Sequence, residues 1–119
     1  MLARGYPRAA AEIERADISL HAPALCDLEL ASALRRGLLQ GRVSERRAAE
    51  AVASYLALPI RRHGHLRLLG RVLQLRDNFS PYDASYVALA ERLSARLLTA
   101  DHSLARAASD HAHVEVIGI

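Results

Sequence analysis

The sequence predicts an α/β fold built on a mainly parallel sheet, and three observations predict it. Short apolar runs alternate with helical patterns along the 119 residues, an order that puts parallel strands under covering helices. One of those runs, RLLTA (96–100), is apolar nearly throughout, as a strand buried on both faces is. Residues that start or stop helices stand where the alternation needs them: Pro7, Gly41, Ser44 and Ser80. The length fits one domain with a sizeable core.

Taken in order, PRAAAEIERA (7–16) reads as a helix, with proline suited to its first turn. ISLHA (18–22) is strand-like, and ALCDLELASALRRGLLQ (24–40) is a helix stopped by Gly41. Asp27, in its first turn, complements the helix dipole. Ser44 caps a helix over 44–58, with Glu45 in the first turn. LPIRR (58–62) is a candidate strand, and HLRLLGRVLQLRDN (65–78) a helix with a glycine inside. Ser80 and Pro81 open the next helix, which runs to about residue 93. Then come the strand 96–100, a short helix over 103–109 and a last strand over HVEVIGI (113–119).

Composition excludes several classes of function. No apolar run approaches the ~20 residues that span a bilayer, and the N-terminus has no secretory h-region. The one cysteine, Cys26, excludes an internal disulfide framework and fits a reducing cytoplasm; it reads as a small buried hydrophobe. All sixteen basic residues are arginines and the net charge is +3, which is compatible with a polyanionic partner and also with a GC-rich genome. Glycine-rich phosphate loops and nucleophile elbows are lacking. His63/His65 and His111/His113 have a spacing that could bind a transition metal on a strand, but no third ligand is near in sequence. Tyr55, Tyr82 and Tyr86 read as core residues, being too few for a base-stacking platform.

The acids carry more. Asp83, Tyr86, Val87 and Ala90 share one face of their helix, so a carboxylate sits on an apolar stripe. Asp83 is suited to a capping box with Ser80, and equally to a site beyond the helix start. Asp101 follows the strand 96–100 directly, at the strand end where open α/β sheets bind ligands; it could also cap the following helix. Glu29 shares a polar stripe with Arg36 and Gln40, opposite Leu30, Leu34 and Leu38, and periodicity alone favours a solvated glutamate. If Glu29, Asp83 and Asp101 converge, the hard oxygen donors suit Mg²⁺ or Mn²⁺ and the chemistry is metal-dependent phosphodiester hydrolysis.

Three runs, APALCDLELASALRRG (22–37), RDNFSPYDASYVALAERL (76–93) and LLTADHSLAR (97–106), resemble the PIN domain, and more narrowly the VapC-type toxins of bacterial toxin–antitoxin pairs. The resemblance implies a three-layer α/β/α domain that cuts RNA with Mg²⁺ or Mn²⁺ held by an acidic quartet. Onto that pattern fall Glu29, Asp83 and Asp101 as metal ligands, with Thr99 as the hydroxyl two residues before the last. Asn78 and Ser80 lie in a loop that in the family is near the site, though turn and cap roles explain them too. Arg36 is a candidate phosphate contact. A cognate antitoxin, RNA substrate and a homodimer would be the partners.

In one respect the chain departs from that pattern. The family opens with a central apolar strand ending in an aspartate, and these 119 residues hold no such segment; Asp17 precedes a strand and cannot replace it. The domain is thus expected to be N-terminally incomplete. A start set downstream of the true one, an inactive remnant, or a sheet rearranged or completed by a neighbour's strand would each account for this. The remnant would bind RNA or an antitoxin without cutting.

Overall fold

A computed structural model of the chain describes residues 18–118; the helix expected over 7–16 lies outside them. The first strand, β1, spans Leu20–Pro23, and helix α1 follows over Cys26–Leu39. Gly41, at φ 69°, takes the left-handed conformation that turns the chain out of α1, as its position after the helix predicts. Ser44 caps α2 (Glu45–Leu56) by accepting the Arg47 N–H at 3.1 Å. Strand β2 (Ile60–His63) runs parallel to β1, pairing Leu20 with Ile60 and Pro23 with His63.

The predicted helix over 65–78 is shorter than its pattern suggested. A 3₁₀ turn, Leu66–Leu68, leads into α3 (Leu69–Gln74). The N–H groups of Asn78 and Phe79 then both turn back to the Leu75 carbonyl. Gly70 favours no helix, so the segment is held by what it buries, Leu68, Val72, Leu75 and Phe79. The remaining elements match their predicted kinds: α4 (Pro81–Leu93), β3 (Leu97–Thr99), α5 (His102–His111) and β4 (Val116–Gly118), with β4 parallel to β3. Strand ends move by one to three residues where an apolar neighbour belongs to a helix end; Leu58, for example, bonds back to Tyr55.

Helix α4 is the centre of the core. Seven consecutive residues, Ala84 to Ala90, are buried, so it is covered on every side. Small side chains at Ala84, Ser85, Ala88 and Ala90 let neighbouring backbone come close, while Tyr86, Val87 and Leu89 fill the space between. It packs against β1, β3 and α3.

The sheet is not continuous. Among the described residues the strands make two separate parallel pairs, β1–β2 and β3–β4, not one continuous sheet. Between the pairs lies a slot of about 580 Å³, lined by Leu20 and Ala22 of β1, Leu97 of β3, Leu30 and Leu34 of α1, and Leu89 of α4. A lone two-stranded pair is marginal in water, so each depends on the helices that cover it.

Two polar clamps tie distant elements together. Arg71 Nε and Nη2 donate to the two Glu91 oxygens at 2.7 and 2.9 Å, and the His113 N–H adds a third bond at 3.0 Å. This joins α3 to α4 and to the segment entering β4. Asp27 receives Arg62 Nε at 2.9 and 3.0 Å and the Tyr55 hydroxyl at 2.6 Å, joining α1, α2 and β2. The Arg71 bonds, with the His113 N–H, hold the Glu91 carboxyl below its ordinary range despite burial. Glu91→Ala should therefore lower stability at pH 7 by about 1–2 kcal/mol in urea denaturation. A depressed folded pKa stabilises above the unfolded value, so the gap should close as pH falls through the folded one. A gap that widened in acid would contradict this.

Candidate functional site

The site is built from the ends of three elements. Ser80 accepts the Asp83 N–H at 3.1 Å, and Pro81 opens the helix, so the start of α4 is fixed and Asp83 with it. The Asp83 backbone thus satisfies the cap, while its half-buried carboxylate is left for the site. Asp101 follows the carboxyl end of β3. Its N–H donates to Thr99 Oγ1 at 3.0 Å, and its Oδ1 accepts the Leu104 N–H at 3.1 Å. Both roles read from the sequence are present: Asp101 caps α5 and stands at a strand end. Thr99, 1% exposed, is the buried hydroxyl that shapes this turn.

Glu29 overturns the periodicity reading. It is half-buried in the first turns of α1, and its Oε1 accepts a hydrogen bond from the Tyr86 hydroxyl. Tyr86, 5% exposed, is a core residue as expected, but it also carries a polar role that sequence reasoning missed. A signal was there: it lies one turn after Asp83 on the same face, and a buried phenol needs a partner. Burial and the Glu29 bond push the Tyr86 phenol far up, so it stays protonated and donates.

Electrostatics joins the three acids. The Asp83 carboxyl is raised above its ordinary value, first by burial, then by the charges of Asp101 and Glu29. These acids come from α1, α4 and the β3–α5 turn, yet each bears on the same carboxylate.

The supporting residues sort less uniformly. Asn78 is exposed and its N–H closes a turn onto Leu75; Ser80 acts as a cap. Arg36 is exposed at the last turn of α1, about 10 Å along the helix from Glu29. Tyr82 is 64% exposed rather than a core residue, because position 82 faces out from the first turn of α4. Cys26 is only half-buried, its Sγ 2.9 Å from the Tyr55 hydroxyl, and burial raises its thiol so that it stays protonated. His63 meets His21 across the strand pair, 2.8 Å between ring nitrogens, while His65 accepts the Leu25 N–H. Those two histidines therefore serve different partners and form no chelate with each other.

The donor set fits a hard divalent cation in kind: carboxylates that repel one another, oxygen donors only. In number it falls short. Among the described residues no three His, Cys, Asp or Glu side chains are close enough to hold a metal ion.

Parallel strand pairs under helices, with Asp83 at a helix start and Asp101 just after a strand end, define a small α/β domain. The chain belongs to the PIN domain family, whose pattern matches residues 2–110. It is 34% identical over 99 residues to ribonuclease VapC12 of Mycobacterium tuberculosis (strain H37Rv), covering 83% of this chain and 77% of that protein. It is 43% identical over 82 residues to VapC ribonuclease Mb0985 of Mycobacterium bovis, covering 69% and 65%. To ribonuclease VapC1 of M. tuberculosis (strain H37Rv) it is 44% identical over 88 residues, covering 73% and 66%. The chain therefore spans about two thirds to three quarters of the length of these relatives.

The raised Asp83 carboxyl yields a stability test. With its folded pKa above the unfolded one, ionised Asp83 destabilises the fold at neutral pH, and the penalty fades as pH falls through the folded value. Metal-free Asp83→Asn should be more stable than the parent at pH 7, by up to about 1 kcal/mol after solvent screening. The difference should shrink toward pH 4 in thermal unfolding. A variant less stable at pH 7 would mean that the carboxylate is held by partners, not repelled by neighbours.

Proposed function

We propose that this chain is a metal-dependent endoribonuclease, the toxin of a VapC-type toxin–antitoxin pair acting in the cytoplasm. The observation that carries the reading is Asp83, half-buried at the fixed start of α4, whose carboxyl is raised first by burial and then by the charges of Asp101 and Glu29. Carboxylates on two other elements act on the half-buried Asp83, an arrangement that is unfavourable unless it has a use. The similarity to proteins named as VapC ribonucleases supports that use.

On this reading Glu29, Asp83 and Asp101 hold Mg²⁺ or Mn²⁺. Such an ion, when bound, would supply Lewis-acid chemistry for phosphodiester hydrolysis. The chain's own residues do the positioning. Thr99 and the α5 cap set Asp101, Ser80 sets Asp83, and exposed arginines such as Arg36 attract the RNA backbone. A small antitoxin is the physiological partner, and the active form is a homodimer. The slot between β1 and β3 is the place for the family's first strand, whose terminal aspartate would complete the acidic set.

A second reading has its own support: the absence of any three metal-capable side chains in holding distance among the described residues. It makes the chain a PIN domain that binds RNA or an antitoxin without cutting.

The two separate in one experiment. The folded chain is incubated with RNA and Mn²⁺, beside Asp83→Asn and Asp101→Asn, and Mn²⁺ binding is followed by calorimetry. Asn serves as well as Asp for capping, so Asp101→Asn removes charge without removing the α5 cap. Expected is cleavage that EDTA abolishes and each variant reduces at least ~100-fold. Full activity in both variants would sink the nuclease reading at these acids. No saturable Mn²⁺ binding and no cleavage would favour the binding-only protein.

A further inference from the structure

The spacing of His63 and His65, which the nuclease reading leaves unused, acquires a role at the entry to α1. Helices α2, α4 and α5 each begin under a side-chain cap, from Ser44, Ser80 and Asp101. Helix α1 does not: Leu25 stands at its N-cap and supplies no side-chain bond. The turn from β1 into α1 is held instead from the end of β2 and the residues after it. The His63 carbonyl accepts the Ala24 N–H at 2.8 Å, and His65 Nε2 accepts the Leu25 N–H at 3.3 Å. The His63 ring also meets His21 of β1, Nε2 to Nδ1 at 2.8 Å, and His21 Nε2 lies 3.1 Å from Ser19 Oγ.

An imidazole nitrogen accepts a hydrogen bond only while it carries no proton. His65 therefore holds Leu25 only as the neutral Nδ1–H tautomer. A bond between two imidazoles needs one donor and one acceptor, so the His21–His63 contact survives one extra proton and fails with two. We propose that His21, His63 and His65 form a proton-sensitive latch on the β1–α1 turn, closed while His65 is neutral and opened when acid protonates it and fills the pair. The latch needs neither metal nor RNA, so it goes beyond the nuclease reading and does not depend on it. The other charged groups around it are accounted for. Arg61 stands directly opposite His21 in the strand register, and Arg67 follows His65 in the 3₁₀ turn. On the α1 side, Asp27 is engaged by Arg62 and Tyr55. Helix α4, packed against β1 and the 3₁₀ turn, brings Asp83 and Tyr86, the first coupled to Asp101 and Glu29 and the second bonded to Glu29. Burial, then His63 and Arg61, lower the His21 pKa from its ordinary value. A base shifted this way supports the fold above the unfolded value and supports it less as pH falls through that value, the same sign as the geometry requires.

Amide hydrogen exchange, followed by NMR on the full chain, tests this without a variant. Protection factors, which remove the intrinsic pH dependence of exchange, are compared between about pH 7.5 and about pH 5.5, the range in which an ordinary histidine takes up its proton. Expected is a fall of about fivefold or more at Leu25, the loss of one hydrogen bond, while Arg47 under its Ser44 cap changes by less than about twofold. Imidazole ¹⁵N shifts at the upper pH should show His65 as the Nδ1–H tautomer. His65→Gln can offer Leu25 a side-chain oxygen that takes up no proton in this range, and its Leu25 protection should stay level. Unchanged Leu25 protection in the parent overturns the inference. So does a fall of equal size at Leu25 and Arg47, which marks general loosening, or a His65 ring found as the Nε2–H tautomer. A His65→Gln chain that loses Leu25 protection as the parent does overturns it as well, since the sensor would lie elsewhere.

Discussion

Burial of α4 is the constraint on which the other elements depend. The two strand pairs are not hydrogen-bonded to each other among the described residues, so their relative placement comes from what both pack against. That common surface is α4, which meets β1 on one side and β3 on another. Its small residues set how closely the strands approach, and Glu91 near its end ties it to α3 and the β4 approach. Once Ser80 and Pro81 fix where the helix begins, the positions of Asp83 and Tyr86 follow from helical geometry. The site is a consequence of how the core is assembled.

The acids are accommodated in three different ways. Asp101 is offset by the α5 cap and the Leu104 N–H, an ordinary arrangement at a helix start. Glu29 receives the Tyr86 hydroxyl. Asp83, by contrast, takes the repulsion of the other two on top of its own burial, and so is the least comfortable carboxylate. The asymmetry is informative. Acids placed for stability alone would each have a donor, whereas Asp83 is left raised by burial and by its neighbours' charges.

What the sequence revealed was mostly local. Ser44, Ser80 and Asp101 cap the helices they precede, and Gly41 ends α1, because each acts on backbone within a few residues. The long-range features were harder. The Tyr86–Glu29 bond spans 57 residues, and nothing in the α1 pattern distinguishes Glu29 from a solvated glutamate. Glu29, Asp83 and Asp101 were named together through family resemblance, while periodicity favoured a different fate for the first. The short α3 was missed because its apolar spacing continues past Leu75, although the backbone there closes into turns. Division of the strands into two pairs was also illegible from propensity, since each strand has the same composition with or without a neighbour.

The slot and the acids are parts of one problem. Tyr86 borders the slot with its ring and meets Glu29 with its hydroxyl, so packing in the slot and the geometry of the acids share a residue. Leu97, on the slot wall, lies two positions before Thr99, which in turn orients the Asp101 backbone. Alternation along a strand places Leu97 and Thr99 on the same face, so pressure on one is felt at the turn that carries Asp101. Glu29 sits one residue before Leu30, another slot-lining side chain. Each of the three acidic elements therefore has a neighbouring residue against the same apolar space. Whatever occupies that space also disciplines the acids, because close-packed interiors transmit displacements rather than absorb them.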